Sequence, residues 1–253
     1  SFPTRRSSDL HACGMEISGL DGAEAIQAAS WCASHSVAVQ ARGHGNVWLP
    51  EVAQVRNPRL IAALHAGLAA QGGSIYPDCR VDGSRCSGRR LEAVLCQDRV
   101  FEAETFVIAT GAWSGVEIPG IAPVPNIRPV RGQMLLYAPG SHHLEHILYH
   151  QGTYLVPRRD GHLLVGSTLE QAGFDASTRD DALDALRAKA CKLLPELKSH
   201  QPIRAWAGLR PGSPDNLPII GRHPDFDNVW VHAGHYRYGV TMAPASSRLL
   251  VEL

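Results

Sequence analysis

The sequence predicts a mixed α/β fold that carries both a parallel-type strand–helix–strand unit and an antiparallel sheet. Three observations lead there. Gly 24 and Pro 17 among 253 residues imply many turns and short elements, unlike a helical bundle. Apolar runs come in two styles: a short continuous one at Phe106–Ala109, and several separated by turn residues further on. Helical periodicity is confined to a few stretches. The 44% hydrophobic content excludes a disordered chain, and the length allows one or two domains with a sizeable core.

The elements follow in order. Asn57-Pro58 opens a helix, with Asn as cap and Pro in the first turn. Leu60, Ile61, Leu64 and Leu68 share a face, and Gly72-Gly73 ends it. Ser74-Ile75-Tyr76 is read as the start of a strand. Leu91–Cys96 and Arg99–Glu102 form a hairpin across Gln97-Asp98. Phe106–Ala109 reads as a strand buried on both faces, stopping at Thr110-Gly111. Gln133–Tyr137, Thr153–Val156 and His162–Gly166 read as antiparallel sheet, with Arg159-Asp160-Gly161 as a hairpin turn. Thr178-x-x-Asp181 opens a second helix, with Leu183, Leu186, Ala190 and Leu193 on one side and Pro195 closing it. Ile203–Ala207 and Val229–His232 are further strands, and Ala243-Pro244 begins the last helix.

Several classes are excluded. Lys plus Arg equals Asp plus Glu at 24 each, so no charge excess drives nucleic-acid binding. No apolar run reaches the roughly 18 residues of a membrane span. The six cysteines (Cys13, Cys32, Cys79, Cys86, Cys96, Cys191) hold no C-x-x-C pair. That argues against a zinc ribbon or a disulfide framework and suits a cytoplasmic chain. His142 and His146 have helical i, i+4 spacing, but Pro139-Gly140 precedes them and only Glu145 lies nearby, so no metal is expected. SFPTRRSSDL at residues 1–10 has no hydrophobic period and reads as a non-native leader. The last residues read as a helix cut short, so a fragment is expected.

Four segments carry candidate chemistry. Val107-Ile-Ala-Thr110-Gly111-Ala-Trp113-Ser is a strand end with small residues, where a cofactor can approach the backbone; the alternative is a plain turn. Ala207-Gly-Leu-Arg210-Pro holds an arginine whose planar fork can pair with a carboxylate; the alternative is a structural ion pair. Val231-His-Ala-Gly-His235-Tyr236-Arg237-Tyr238-Gly239-Val240-Thr241 runs from strand through glycines into a helix. Backbone N–H groups there can receive negative charge, with Arg237 as a cation. The alternative is a glycine-rich turn with a solvated arginine. Tyr154 offers a phenol to a small polar ligand, or packs as a strand aromatic.

VIATGAWS, RPVRGQMLLY, TYLVP, GSTLE, WAGLRP, LPIIGRHP and AGHYRYG…MAP occur in this order over residues 45–253. Together they resemble the FAD-dependent amine oxidases of the D-amino acid oxidase superfamily, and within it the glycine oxidases of thiamine biosynthesis. The resemblance implies an FAD-binding α/β part interleaved with a mostly antiparallel substrate sheet. The substrate part falls on residues 11–50 and 124–208, the FAD-binding part on 51–123 and 209–253. It implies an adenine-side backbone contact at Val81 and flavin-side contacts at Thr110, Gly111, Trp113 and His235 to Thr241. It places carboxylate-binding arginines at Arg210 and Arg237 and an active-site tyrosine at Tyr154. The implied reaction oxidises a small amino acid, glycine first, with O2 as electron acceptor; sarcosine oxidase and D-amino acid dehydrogenase chemistry are alternatives. A flavin enzyme acting on a tRNA base disagrees with the zero net charge. The family's glycine-rich fingerprint is represented only by Gly43-His-Gly45, with Trp48 in place of the third glycine. The pyrophosphate-binding motif is therefore expected to be missing, and the chain alone to be an inactive partial fold without flavin. Tyr238 stands where the resemblance implies Asn. A homo-oligomer is left open.

Overall fold

The computed structural model describes residues 11–12, 15–17, 40–42, 46–124 and 126–253. Residues 1–10 and 43–45, with Cys13 and Cys32, lie outside them. The elements are β1 His11–Ala12, β2 Met15–Ile17, β3 Gln40–Arg42, β4 Asn46–Leu49, β5 Ala53–Gln54, α1 Asn57–Ala70, β6 Gly83–Ser87, β7 Arg90–Cys96, β8 Arg99–Glu102, β9 Phe106–Ile108, β10 Arg128–Tyr137, β11 Ile147–His150, β12 Thr153–Pro157, β13 Leu163–Gly166, α2 Asp180–Leu193, β14 Arg204–Gly212, β15 Ile219–Arg222, β16 Val229–Ala233 and α3 Gly239–Glu252. The mixed α/β class is as the sequence predicts. The chain divides into two compact units, residues 1–75, 133–168 and 177–207, and residues 76–132, 169–176 and 208–253.

The first unit is built on a sheet of order β14-β10-β13-β12-β11-β2-β4-β3. Its centre is antiparallel, with Leu135 opposite Val165 and Leu155 opposite Val165 on the other side. The β2–β11 pair is parallel. One face carries Leu135, Tyr137, Leu155, Leu163 and Val165, closed by Leu186 and Ala190 of α2 and by Leu197. This is the apolar stripe that the helical spacing predicts. Thr178 does not cap α2. Arg179 takes the cap position; its N–H donates to Gln133 Oε1 at 2.8 Å and its guanidinium to Asp181 at 2.6 and 3.0 Å.

The second unit holds two three-stranded sheets, β15-β16-β9 and β6-β7-β8. Strand β16 runs parallel to β9 and antiparallel to β15. Leu91, Ile108, Ile121, Val124, Ile127, Phe226, Val229, Val231 and Ala233 form its core. The hairpin of β7 and β8 lies where the sequence places it.

Besides the α2 cap, five expectations need correction. Asn57 does not cap α1; Arg56 takes that position without a side-chain capping bond, and Pro58 lies in the first turn as expected. Ser74–Tyr76 is not a strand; it lies in irregular chain after Gly72-Gly73. Strand β9 is not buried on both faces, because Val107 is 51% exposed while Ile108 faces the core, and among the described residues it is an edge strand beside β16. The last helix starts at Gly239, four residues before Ala243, and carries Pro244 inside it. The compact units divide the chain at other positions than the expected parts. Residues 51–75 fall in the first unit, where Gln54 donates to Pro157 O at 2.6 Å and Arg56 pairs with Asp160 at 2.7 Å. Residues 124–132 and 169–176 fall in the second, where Val124 and Ile127 enter the core. Finally, Cys79 and Cys96 form a disulfide, with Cα atoms 5.7 Å apart. Their separation of 17 residues matches no local motif, and the hairpin brings them together. Cys86 and Cys191 are free thiols.

Candidate active site

The parallel pairing of β9 and β16 matches Val231 with Ile108. The two strands therefore end side by side, delivering Ala109-Thr110-Gly111 and Gly234-His235-Tyr236 to one edge. Loops beyond the carboxyl ends of parallel strands are where open α/β sheets bind ligands. Gly111 has φ 58° and nothing within 4 Å of where a Cβ would stand. Thr110 Oγ1 lies 3.1 Å from Ser114 Oγ, which closes the short turn. Gly234 has φ 77°, and a Cβ there would press on Ile127 Cδ1 at 2.8 Å. Only glycine fits that backbone without displacement.

Helix α3 starts from this loop. Tyr238 N donates to His235 O at 2.9 Å and Met242 N to Tyr238 O at 2.8 Å. The N–H groups of Gly239, Val240 and Thr241 thus precede the first intrahelical bond, and no side chain caps them. Trp113 (54%), Tyr238 (53%) and Val240 (45%) expose large apolar surface.

The two sequence-assigned arginines lie on neighbouring backbone segments. Tyr236 N donates to Pro211 O at 3.1 Å, which joins Arg210-Pro211 to Tyr236-Arg237. The Arg210 guanidinium lies directly over Gly132, so that a Cβ at that glycine would collide with it. Arg237 is exposed, its guanidinium carbon 5.2 Å from the Tyr236 ring centroid. Tyr154 lies in the first unit, on β12 opposite Gly166. Its ring occupies the space a Gly166 side chain would need. Its hydroxyl donates to Met134 Sδ at 3.3 Å, a weak acceptor. Val81 is half-buried, between the Cys79 disulfide and the bond from Asp82 N to Leu95 O at 2.9 Å.

Three supporting groups contain residues that went unassigned in the sequence: Arg131, Phe174, and His232 with Ser246. Arg131 is 2% exposed and pairs with Glu170 at 2.7 Å and Asp175 at 2.6 Å. Backbone bonds between Arg131 and Glu170 run in both directions, at 2.9 and 3.0 Å. This clamp fixes the chain beside Gly132, the platform of Arg210. Its partners lie 39 and 44 residues away, a distance no local pattern spans. Phe174, in the same loop, stacks on Trp113 with centroids 5.8 Å apart. The early histidines are separately engaged: His142 with Gly161 O, His143 with Glu196, His146 with the Trp48 ring.

The third group is His232, His235 and Ser246. Both Nε2 atoms lie on Ser246 Oγ, at 3.0 and 3.1 Å, and that hydroxyl donates to Ala243 O at 3.3 Å. The arrangement is satisfied when both rings are neutral and donate from Nε2. Burial lowers the His232 pKa; burial, then the neighbouring His232, lowers that of His235. The unfolded chain therefore takes up protons first. Stability from this group is present above the ordinary histidine value of 6.5 and is lost as pH falls through the lower folded-state values. The melting temperature should drop between pH 7.5 and 5.5 by a few degrees more in the wild type than in His235→Gln. Equal slopes in a differential scanning calorimeter would refute this.

Known proteins carry the same organisation. A model of the family described as FAD dependent oxidoreductase, DAO, matches residues 5–253. A glycine oxidase of Pseudomonas aeruginosa is 39% identical over 261 residues, covering 97% of this chain and 71% of that protein. A glycine oxidase of Pseudomonas putida is 42% identical over 208 residues, covering 82% of this chain and 57% of that protein. The chain thus spans little more than half of one curated relative and under three quarters of the other. The crystal structure of glycine oxidase from Geobacillus kaustophilus superposes with a TM-score of 0.86 at 26% identity, covering 97% of this chain and 71% of that one. The family match spans nearly the whole sequence and the fold superposes on a glycine oxidase, so the chain belongs to the DAO family of FAD dependent oxidoreductases.

Proposed function

We propose that the whole protein is a flavin-dependent amine oxidase acting on a small amino acid, glycine first, and giving glyoxylate, ammonia and hydrogen peroxide. The observation that carries this is the bond from Tyr236 N to Pro211 O, which sets two arginine-bearing segments together at the ligand-binding edge of β9 and β16.

The residues present fit the ring end of FAD. Gly111 leaves open space for a flat group, Trp113, Tyr238 and Val240 offer apolar contact, and α3 presents N–H groups without side-chain caps. His235, Tyr236, Arg237, Gly239 and Thr241 complete that loop, with Thr110 on the neighbouring strand-end turn and Val81 on the adenine side. In this reading the second unit is the FAD-binding part and the first the substrate part. FAD, when bound, supplies the acceptance of a hydride from the substrate α-carbon and its passage to O2.

The chain's own groups orient the substrate. Arg237 and Arg210, both in the second unit, grip its carboxylate by charge-assisted bonds. Holding the α-carbon in place is a proximity effect. The N–H groups of Gly239 to Thr241 favour negative charge near the helix start. No side chain need act as a base if the amine enters neutral.

The test is a substrate panel on the complete protein, glycine, sarcosine and D-alanine, in an oxygen electrode with peroxide detection. Oxygen uptake highest with glycine is expected. A flavin-loaded protein that consumes oxygen with none of them overturns the proposal. The 253-residue chain alone, without a G-x-G-x-x-G motif, is expected to show no flavin absorbance.

A further inference from the structure

We propose that Cys79 and Cys96 are a peroxide-oxidised dithiol whose disulfide pins the segment carrying Val81. The inference rests on the reading above for the role of Val81 and for peroxide as a product.

The two sulfurs are already bonded, joining the chain ahead of β6 to the end of β7. Cys96 is 2% exposed, whereas Cys79 is half-buried and followed by exposed Arg80. Cys79 is thus the more accessible member and Cys96 the sheltered one, the arrangement of an attacking and a resolving thiol. Cys86, also exposed, is no rival for Cys96. It pairs in register with Leu91, and the remaining five residues of β7 set Cys96 about 16 Å further along. That exceeds disulfide reach.

The chemistry balances. The Cys79 thiolate attacks hydrogen peroxide, an S–O bond forms, the O–O bond breaks, and the departing oxygen leaves as water after protonation. The Cys96 thiol then attacks the sulfenic sulfur, the S–S bond forms, the S–O bond breaks, and a second water leaves. Two thiols are oxidised and one peroxide is reduced.

The consequence is local. On its carboxyl side the segment 77–81 is held where Asp82 N meets Leu95 O and Gln97 N meets Asp82 Oδ2, at 2.9 and 3.0 Å. On its amino side, besides the disulfide, it has the exposed Tyr76 ring, packed 4.9 Å from Phe101 and 5.3 Å under Arg99. Such surface contacts open readily. Reduction therefore frees the backbone that leads into Val81, and oxidation fixes it.

The experiment treats the protein with dithiothreitol, removes it, adds hydrogen peroxide to half, and follows both by mass spectrometry and limited trypsin digestion. Peroxide should remove about 2 Da and yield a Cys79–Cys96 linked peptide. Trypsin should cut after Arg80 at least about fivefold faster in the reduced sample, since cleavage tracks local opening. Cys79→Ser should be cut fast in both samples, and Cys86→Ser should behave as wild type. A different pairing, over-oxidation of either thiol without a bond, or equal cleavage rates in the wild-type samples overturns the proposal. Because peroxide is added, the result stands or falls independently of whether the protein oxidises amines.

Discussion

Replacing Asn228 with alanine is expected to destabilise the second unit by about 3 kcal/mol, a large share of the 5–15 kcal/mol typical of a domain. Asn228 is 6% exposed. Its Oδ1 accepts from Leu91 N at 2.9 Å, and its Nδ2 donates to Leu91 O at 2.8 Å and Glu104 O at 3.0 Å. Leu91 is 1% exposed, so its two orphaned backbone groups would find no water, each losing about 1–3 kcal/mol. The Glu104 carbonyl, on an exposed residue, can turn to solvent. The same asparagine's backbone carbonyl accepts from Phe106 N at 3.0 Å, so the residue ties β7, through its side chain, to the start of β9 and β16. Loosening it would misplace the strand ends that carry the site.

The neighbouring ion pair is the control. Arg89 lies 3.1 Å from Asp227, with both side chains more than half exposed, and screened pairs of this kind contribute about 0–1 kcal/mol. Urea denaturation should thus rank Asn228→Ala far below Arg89→Ala, although the two sites are adjacent. If the two variants unfold at the same urea concentration, the buried bonds are not what fixes this sheet.

The same contrast explains how far the sequence could be read. Helix α2 was legible because Leu186 and Ala190 fall on one face, and β12 and β13 because Arg159-Asp160-Gly161 announces the turn between them. Fold class and family were legible too, since motifs such as AGHYRYG are contiguous. What failed was non-local. Asn228 meets Leu91 across 137 residues, Arg131 meets Asp175 across 44, and Cys79 meets Cys96 only after a hairpin forms. Helix α3 was misplaced for a different reason. Pro244 looks like a helix start by propensity, yet Gly239 and the bond from Met242 N to Tyr238 O begin the helix upstream. The exposed face of β9 could not be anticipated either, because an apolar run states what a strand can bury, not what covers it.

Arg237→Ala in the complete protein is expected to lower kcat/KM for glycine about 10²- to 10⁴-fold, with flavin absorbance retained. A charge-assisted hydrogen bond is worth about 1.5–3 kcal/mol, and a guanidinium fork makes two. Each 1.4 kcal/mol is about tenfold. The side chain is exposed and its only described contact is the Tyr236 ring, so removal should leave the melting temperature nearly unchanged; a structural role would reverse that pattern. Arg237→Lys keeps the charge and loses the fork, so its deficit should fall between the two. Gly132→Ala tests the partner arginine without deleting it. The new methyl would occupy the space of the Arg210 guanidinium, which must swing away on a flexible stem. KM should then rise about tenfold through lost substrate binding, while the Arg131 clamp beneath keeps the backbone in place. Unchanged kinetics in both Arg237→Ala and Gly132→Ala would remove the arginine pair from the reaction.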